Sequence, residues 1–173
     1  LRNFAEATAL GRQLVIGVPN EKSTPGAVKY LSYRLLGPMP VKVAVPTGSG
    51  NGWDHQVVDE PFLDSATFTA LAADLDRHDA VHWTNSYAPD RLAWRLARPH
   101  GHYVVHADDE LVVVSTRSAF GPVPMAVVLK LFPRRDRSMN QPLSARRAIA
   151  AVCRYHRAPA AVYAGYNALV RVR

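Results

Sequence analysis

The chain has 173 residues, 48% of them hydrophobic and 20% charged, and a net charge of +7. This length lets one domain bury roughly 70% of its unfolded surface, and the composition excludes intrinsic disorder. Its one cysteine, Cys153, excludes an internal disulfide and a thiolate zinc cage, and apolar runs such as Met125–Leu129 are too short to span a membrane.

The charge falls into three blocks: +4 over residues 1–46, −7 over 47–90 and +10 over 91–173. A basic C-terminal half points either to a polyanionic partner or to a solvated arginine-rich surface. The first ten residues contain Glu6 and lack the charged-then-apolar order of a secretory leader. The opening in mid-helix reads as a piece of something longer, in a reducing, cytoplasmic setting.

In chain order, Leu1–Gly11 reads as the end of a helix, and Leu14–Val18 as a buried strand closed by Pro19 and Asn20. Ser23 caps a helix with Pro25 in its first turn, which carries Val28, Leu31 and Leu35 on one face and stops at Gly37-Pro38. Val41, Val43 and Val45 alternate as a half-exposed strand. Thr47–Gly52 (TGSGNG) reads as a linker. A short strand over Gln56–Val58 precedes a helix capped by Ser65 that runs to Leu75, with Phe68, Leu71 and Leu75 on its buried face. Asp90 starts a further helix, ended by Pro99, in which Trp94 is expected in the core.

Three strands follow, His102–His106, Leu111–Thr116 and Met125–Phe132, with turns at Asp108-Asp109 and Gly121-Pro122. An arginine-rich loop over 133–141 leads to a helix from Pro142 and Ser144 to Tyr155, with Ala148, Ile149, Val152 and Cys153 as its buried stripe. Ala160–Ala164 is a last buried strand, ending near Asn167.

Two segments carry a resemblance. Val18-Pro19-Asn20-Glu21-Lys22-Ser23-Thr24-Pro25-Gly26 resembles the run that joins the fifth strand to the fourth helix in bacterial GNAT-type acyl-CoA N-acyltransferases. Asp90-Arg91-Leu92-Ala93-Trp94-Arg95, with Pro99 and Tyr103, resembles an element early in the second unit of tandem two-unit members. The resemblance implies an α/β (mixed α+β) fold: α/β/α layers around a central mixed, mostly antiparallel sheet. Residues 1–46 would be the C-terminal third of one unit, 47–53 a Gly-rich linker, and 54–173 the N-terminal two thirds of the next.

The implied reaction is acyl transfer from acetyl-CoA to a small-molecule or peptide amine by direct attack. Family members hold the pyrophosphate on backbone N–H groups of a glycine-containing loop at a helix N-terminus. The matching loop here offers Arg135, Arg137, Ser138 and Asn140, with Ser138 and Asn140 standing where the family has glycine. Asn20 and Asn167 end the two candidate splayed strands and are either cofactor contacts or turn-forming residues. The tyrosine that many members use to protonate the leaving thiolate is replaced by Val28, which leaves Tyr30 and Tyr33 as candidates. The alternatives are a non-catalytic GNAT-like structural or binding lobe, with homodimerisation a possibility, and a basic nucleic-acid-binding domain.

Other constellations point to bland roles. His78 and His82 have the i, i+4 spacing of a helical metal site but no convincing third ligand, so no metal is expected. His102 and His106 share a strand face near His100 and read as a surface cluster. Cys153, three residues before His156, sits on the apolar stripe as a buried thiol.

Overall fold

The computed structural model describes residues 21–31, 33–35, 37–75, 87–98, 101–134, 142–165, 167 and 169–172. The chain divides into two compact units, Leu1–Met39 and Pro40–Arg173. In the first, helix α1 spans Thr24–Leu31 behind Ser23, whose carbonyl accepts from the Ala27 N–H at 3.0 Å. The helix and strand expected over Leu1–Val18 lie outside the described residues.

The second unit contains β1 (Val41–Ala44), β2 (Asp54–Val57), α2 (Glu60–Leu63), α3 (Ala66–Leu75), α4 (Pro89–Leu96), β3 (Tyr103–Ala107), β4 (Leu111–Phe120), β5 (Val123–Pro133), β6 (Leu143–Ser144), α5 (Arg146–His156), β7 (Ala161–Ala164) and β8 (Val170–Arg171). Six strands form one mixed sheet in the order β1-β7-β5-β4-β3-β2, and β6 and β8 pair as a small parallel ribbon. Within the large sheet every neighbouring pair is antiparallel except β5 and β7. The fold class is therefore the mixed α/β architecture expected from the sequence.

Strand alternation assigns the two faces. In β4, Val112 and Val114 point to one side, where they join Val105 and Phe132 against Phe62, Phe68, Ala72, Leu75, Leu92 and Leu96 of helices α2–α4. Leu111 and Val113 point to the other, under Ala148, Ile149, Val152 and Cys153 of α5. Both faces of β4 are covered, which is why it reads as a continuous apolar run rather than an alternating one. A bulge adjusts the phase of β5. Val114 pairs with Lys130 and Ser115 with Val128, so Leu129 is one residue in excess. The extra residue changes the parity of β5, letting Ala126, Val128 and Leu131 all face α5 while Phe132 faces the opposite core.

Local capping explains the helix starts. Ser65 Oγ accepts from the Phe68 N–H at 3.1 Å, as expected for the α3 cap. The short helix α2 was not legible in the pattern, and it is set by Asp59, whose carboxylate accepts from the Phe62 N–H at 3.0 Å. Helix α5 ends on Arg157 in the left-handed conformation, with the Ala158 N–H donating to Cys153 O at 2.9 Å. Among the described residues no helix is long and apolar enough to cross a membrane.

Two expectations are corrected. Thr47–Gly52 is not a free linker. Gly50 is buried against α5 so closely that a Cβ there would lie 2.5 Å from Ala151 N and 2.7 Å from Ala150 C. Arg146 Nε donates to Thr47 Oγ1 at 3.2 Å, and Arg154 Nη1 donates to Asn51 Oδ1, so both ends of the segment are tied to the same helix. Trp53, directly after it, is in the core. The unit boundary accordingly falls between residues 39 and 40, because Val41–Ala44 joins the second unit's sheet through β7. Second, Trp94 is 74% exposed. Leu92 and Leu96, four residues apart on α4, take the buried face, and Trp94 midway between them points away.

Candidate functional site

The residues singled out from the sequence are distributed as follows. Tyr30 and Tyr33 belong to the first unit; Tyr30 is an exposed side chain of α1 with Lys29 Nζ 5.2 Å from its ring centre, and Tyr33 lies just past the helix and is partly buried. Asn20, Arg135, Arg137, Ser138 and Asn140 lie outside the described residues, as do His78 and His82. Asn167 is described, and both ends of its amide bond to backbone. Its Nδ2 donates to Leu131 O at 2.9 Å, while its Oδ1 accepts from the N–H groups of Leu169 and Val170 at 3.0 and 2.9 Å.

Asn167 lies past the end of β7, where its Nδ2 reaches β5. The parallel strands β5 and β7 pair only over Ala126–Val128 and Ala161–Tyr163, although β5 continues to Pro133. Beyond that point a side-chain amide, not a strand, reaches the Leu131 carbonyl. Near this end, Tyr87 packs edge-on against Phe132 with ring centres 4.7 Å apart. Tyr163 is buried, and that burial, followed by the neighbouring Tyr87 phenol, raises its proton affinity above the ordinary phenol range.

A second arrangement was missed by the sequence reading. Three adjacent strands each place a polar side chain on the α5 face: His55 of β2, His106 of β3 and Ser115 of β4. His55 and His106 are register partners, and their Nδ1 atoms are 2.7 Å apart. His106 Nε2 lies 2.6 Å from Ser115 Oγ, which lies 2.7 Å from His156 Nε2 at the end of α5. The four side chains make one continuous file of three hydrogen bonds. His106 and Ser115 are fully buried and His156 is 7% exposed, while His55 opens to solvent. Tyr155 closes the side, its ring centre 5.1, 5.3 and 5.1 Å from those of His55, His106 and His156.

The expected surface cluster is thereby corrected. His102 is exposed, but His106 is in the interior with partners that the sequence places 51 and nine residues away. One signal was available. His156 continues the stripe of Ile149, Val152 and Cys153 at helical spacing, so an ionisable group was due on a buried face.

Burial dominates the electrostatics of the file. It depresses His106 from the ordinary 6.5 to about 3, with His55 and His156 adding to the effect. His156 is lowered by burial first and then by the Arg117 charge. His55 is lowered by burial, with Asp54 acting to raise it and Arg154 to lower it. All three imidazoles are therefore neutral at pH 7. Cys153, by contrast, is an apolar-core thiol pushed up to about 11 by burial.

Nucleophilic chemistry does not fit Ser115, because its oxygen is sealed from any substrate. Metal binding does not fit either. Two imidazole nitrogens on one tetrahedral zinc stand about 3.3 Å apart, wider than the His55–His106 contact. Among the described residues, no group of three or more His, Cys, Asp or Glu is arranged to hold a metal ion. The chain matches no known family model, no curated protein and no solved structure.

Proposed function

We propose that Pro40–Arg173 is the acyl-CoA-handling lobe of an N-acyltransferase that moves an acetyl group from acetyl-CoA to the amine of a small molecule or peptide. What supports this reading is the parallel pair β5 and β7, the one such pair of the large sheet among the described residues, which is three residues long and ends with β7 at Ala164 while β5 runs on to Pro133. Past Ala164, β7 no longer pairs with β5, and an unpaired strand edge suits an extended, amide-containing arm. Helix α5, which joins the two strands, starts beside it after the arginine-rich loop, where an anionic group gains from the helix N-terminus.

The chemistry required is modest. The neutral amine attacks the thioester carbonyl, the C–N bond forms, and the C–S bond breaks to release the thiolate. One proton leaves the amine and one reaches the sulfur. The protein's part is to orient the two reactants and to polarise the carbonyl with strand N–H groups. No general acid or base is assigned to this step.

The second reading, a non-catalytic lobe, is favoured by Asn167, whose amide donates to the Leu131 carbonyl on that stretch of β5. Calorimetric titration of the 173-residue chain with acetyl-CoA separates the two. Saturable micromolar binding that weakens with Arg135→Ala supports the transferase reading. Absence of binding at millimolar acetyl-CoA refutes it and leaves the structural lobe.

A further inference from the structure

The file His55–His106–Ser115–His156 holds a proton inventory that can be counted. Three neutral imidazoles carry one N–H each and the serine one O–H. Three hydrogen bonds join them, and each needs one proton. In the outward arrangement, His156 Nε2–H donates to Ser115, Ser115 donates to His106 Nε2, and His106 Nδ1–H donates to His55 Nδ1. His55 then keeps its own proton on Nε2, towards water. In the inward arrangement every bond is reversed, and His156 holds its proton on Nδ1.

The flanking charges decide which end of the file carries an added proton. Asp54, next to His55 on β2, favours positive charge on His55. Arg117 of β4 opposes positive charge on His156. Both place an added positive charge at the His55 end of the file rather than at His156. Arg154 on α5 opposes charge on His55, and the Tyr155 ring, on the same helix, excludes water from the middle of the file.

We propose that the neutral file rests in the outward arrangement and is a one-proton relay, in which uptake of a single proton charges His55 and reverses all three hydrogen bonds, so that the surface imidazole and His156 at the buried end of α5 respond as one unit. The balance is explicit. One proton is added at His156 Nδ1, on an imidazole that is 7% exposed. Three hops follow, from His156 Nε2 to Ser115 Oγ, from Ser115 Oγ to His106 Nε2, and from His106 Nδ1 to His55 Nδ1. No bond is lost and the net gain is one proton, carried by His55.

A second proton has no place. On His106 it would set two N–H groups facing each other across 2.7 Å, and on His156 it would leave the buried Ser115 hydroxyl without an acceptor in the file. His55 takes the charge because it alone combines water access with a neighbouring carboxylate. The inference stands on the side-chain geometry and is independent of the acyltransferase reading.

The test is a pH titration of the whole chain with ¹⁵N- and ¹³C-labelled histidine, following each ring nitrogen by NMR. In the wild type, His156 is expected to change from an Nε2–H to an Nδ1–H tautomer at the midpoint at which His55 becomes doubly protonated. With Ser115→Ala the His55 titration persists and the tautomer change of His156 at that midpoint is lost. Ser115→Thr, which keeps the hydroxyl, restores it. A His156 that holds one tautomer throughout the His55 transition overturns the relay, as does coupling that survives Ser115→Ala. If Ser115→Ala does not fold, the wild-type titration decides alone.

Discussion

Replacing Gly50 by alanine tests whether the TGSGNG segment is a strap or a linker, because the two predict opposite signs. In a solvated linker, Gly→Ala reduces the freedom of the unfolded chain and stabilises by about 0.4–1 kcal/mol. In this structure the new methyl would lie 2.5 Å from Ala151 N and 2.7 Å from Ala150 C and Ala151 Cα. All three are helix backbone atoms that cannot rotate aside. Ordinary contact needs close to 1 Å more, so the segment must lift from α5 and loosen the Arg146–Thr47 and Arg154–Asn51 bonds beside buried Trp53. Overpacking of this kind costs about 1–3 kcal/mol, which for a chain of this size is a fall in Tm of roughly 2–12 °C. Urea and thermal unfolding followed by circular dichroism measure it, with exposed Ser49→Ala as the control. A Gly50→Ala protein at or above the wild-type Tm would refute the packing described.

Stability is expected to fall between pH 7 and pH 5. The folded His106 pKa lies below its unfolded value of 6.5, so the unfolded chain binds more protons in acid, and the stability present above pH 6.5 is lost as the pH drops towards about 3. For His106 alone the loss at pH 5 is on the order of 2 kcal/mol, read from urea midpoints, and His106→Asn should flatten the slope. An unchanged slope would contradict the burial of that imidazole. Cys153 should resist a disulfide-exchange reagent in the native protein and react fully in denaturant; fast native labelling would show that its site opens. Trp94→Ala should change stability by less than about 0.5 kcal/mol, and acrylamide should quench Trp94 well before Trp53; a loss above about 2 kcal/mol would place Trp94 in a core after all.

The parts of the fold read correctly from the sequence are those where one period and one cap act together. Strands β3, β4 and β5 show apolar runs bounded by turn residues, α3 has Ser65, and α5 shows its stripe. What escaped depends on partners far along the chain. A two-residue strand such as β6 exists only because Leu143 and Ser144 meet Val170 and Arg171. The glycines of TGSGNG look the same whether they confer freedom or permit contact, and only Ala150 and Ala151, a hundred residues on, decide which. The candidate site was hidden for the same reason. His55, His106, Ser115 and His156 stand in four separate elements, and no local spacing unites them.

The strap has a mechanical side as well. Strands β1 and β2 are successive in the chain yet occupy the two opposite borders of the sheet. Five interstrand spacings separate them, about 24 Å, while the ten peptide steps from Ala44 to Asp54 can reach at most about 33–36 Å. The connection is a tie-bar with little slack. Removing three residues shortens its reach to about 23–25 Å, which leaves nothing for the path over α5. Where most surface loops accept deletions, this one sets the width of the sheet. Its closure joins strand partners some 120 positions apart, Val41 with Ala164 and Ala44 with Ala161, a non-local pairing that carries a large loop-closure entropy.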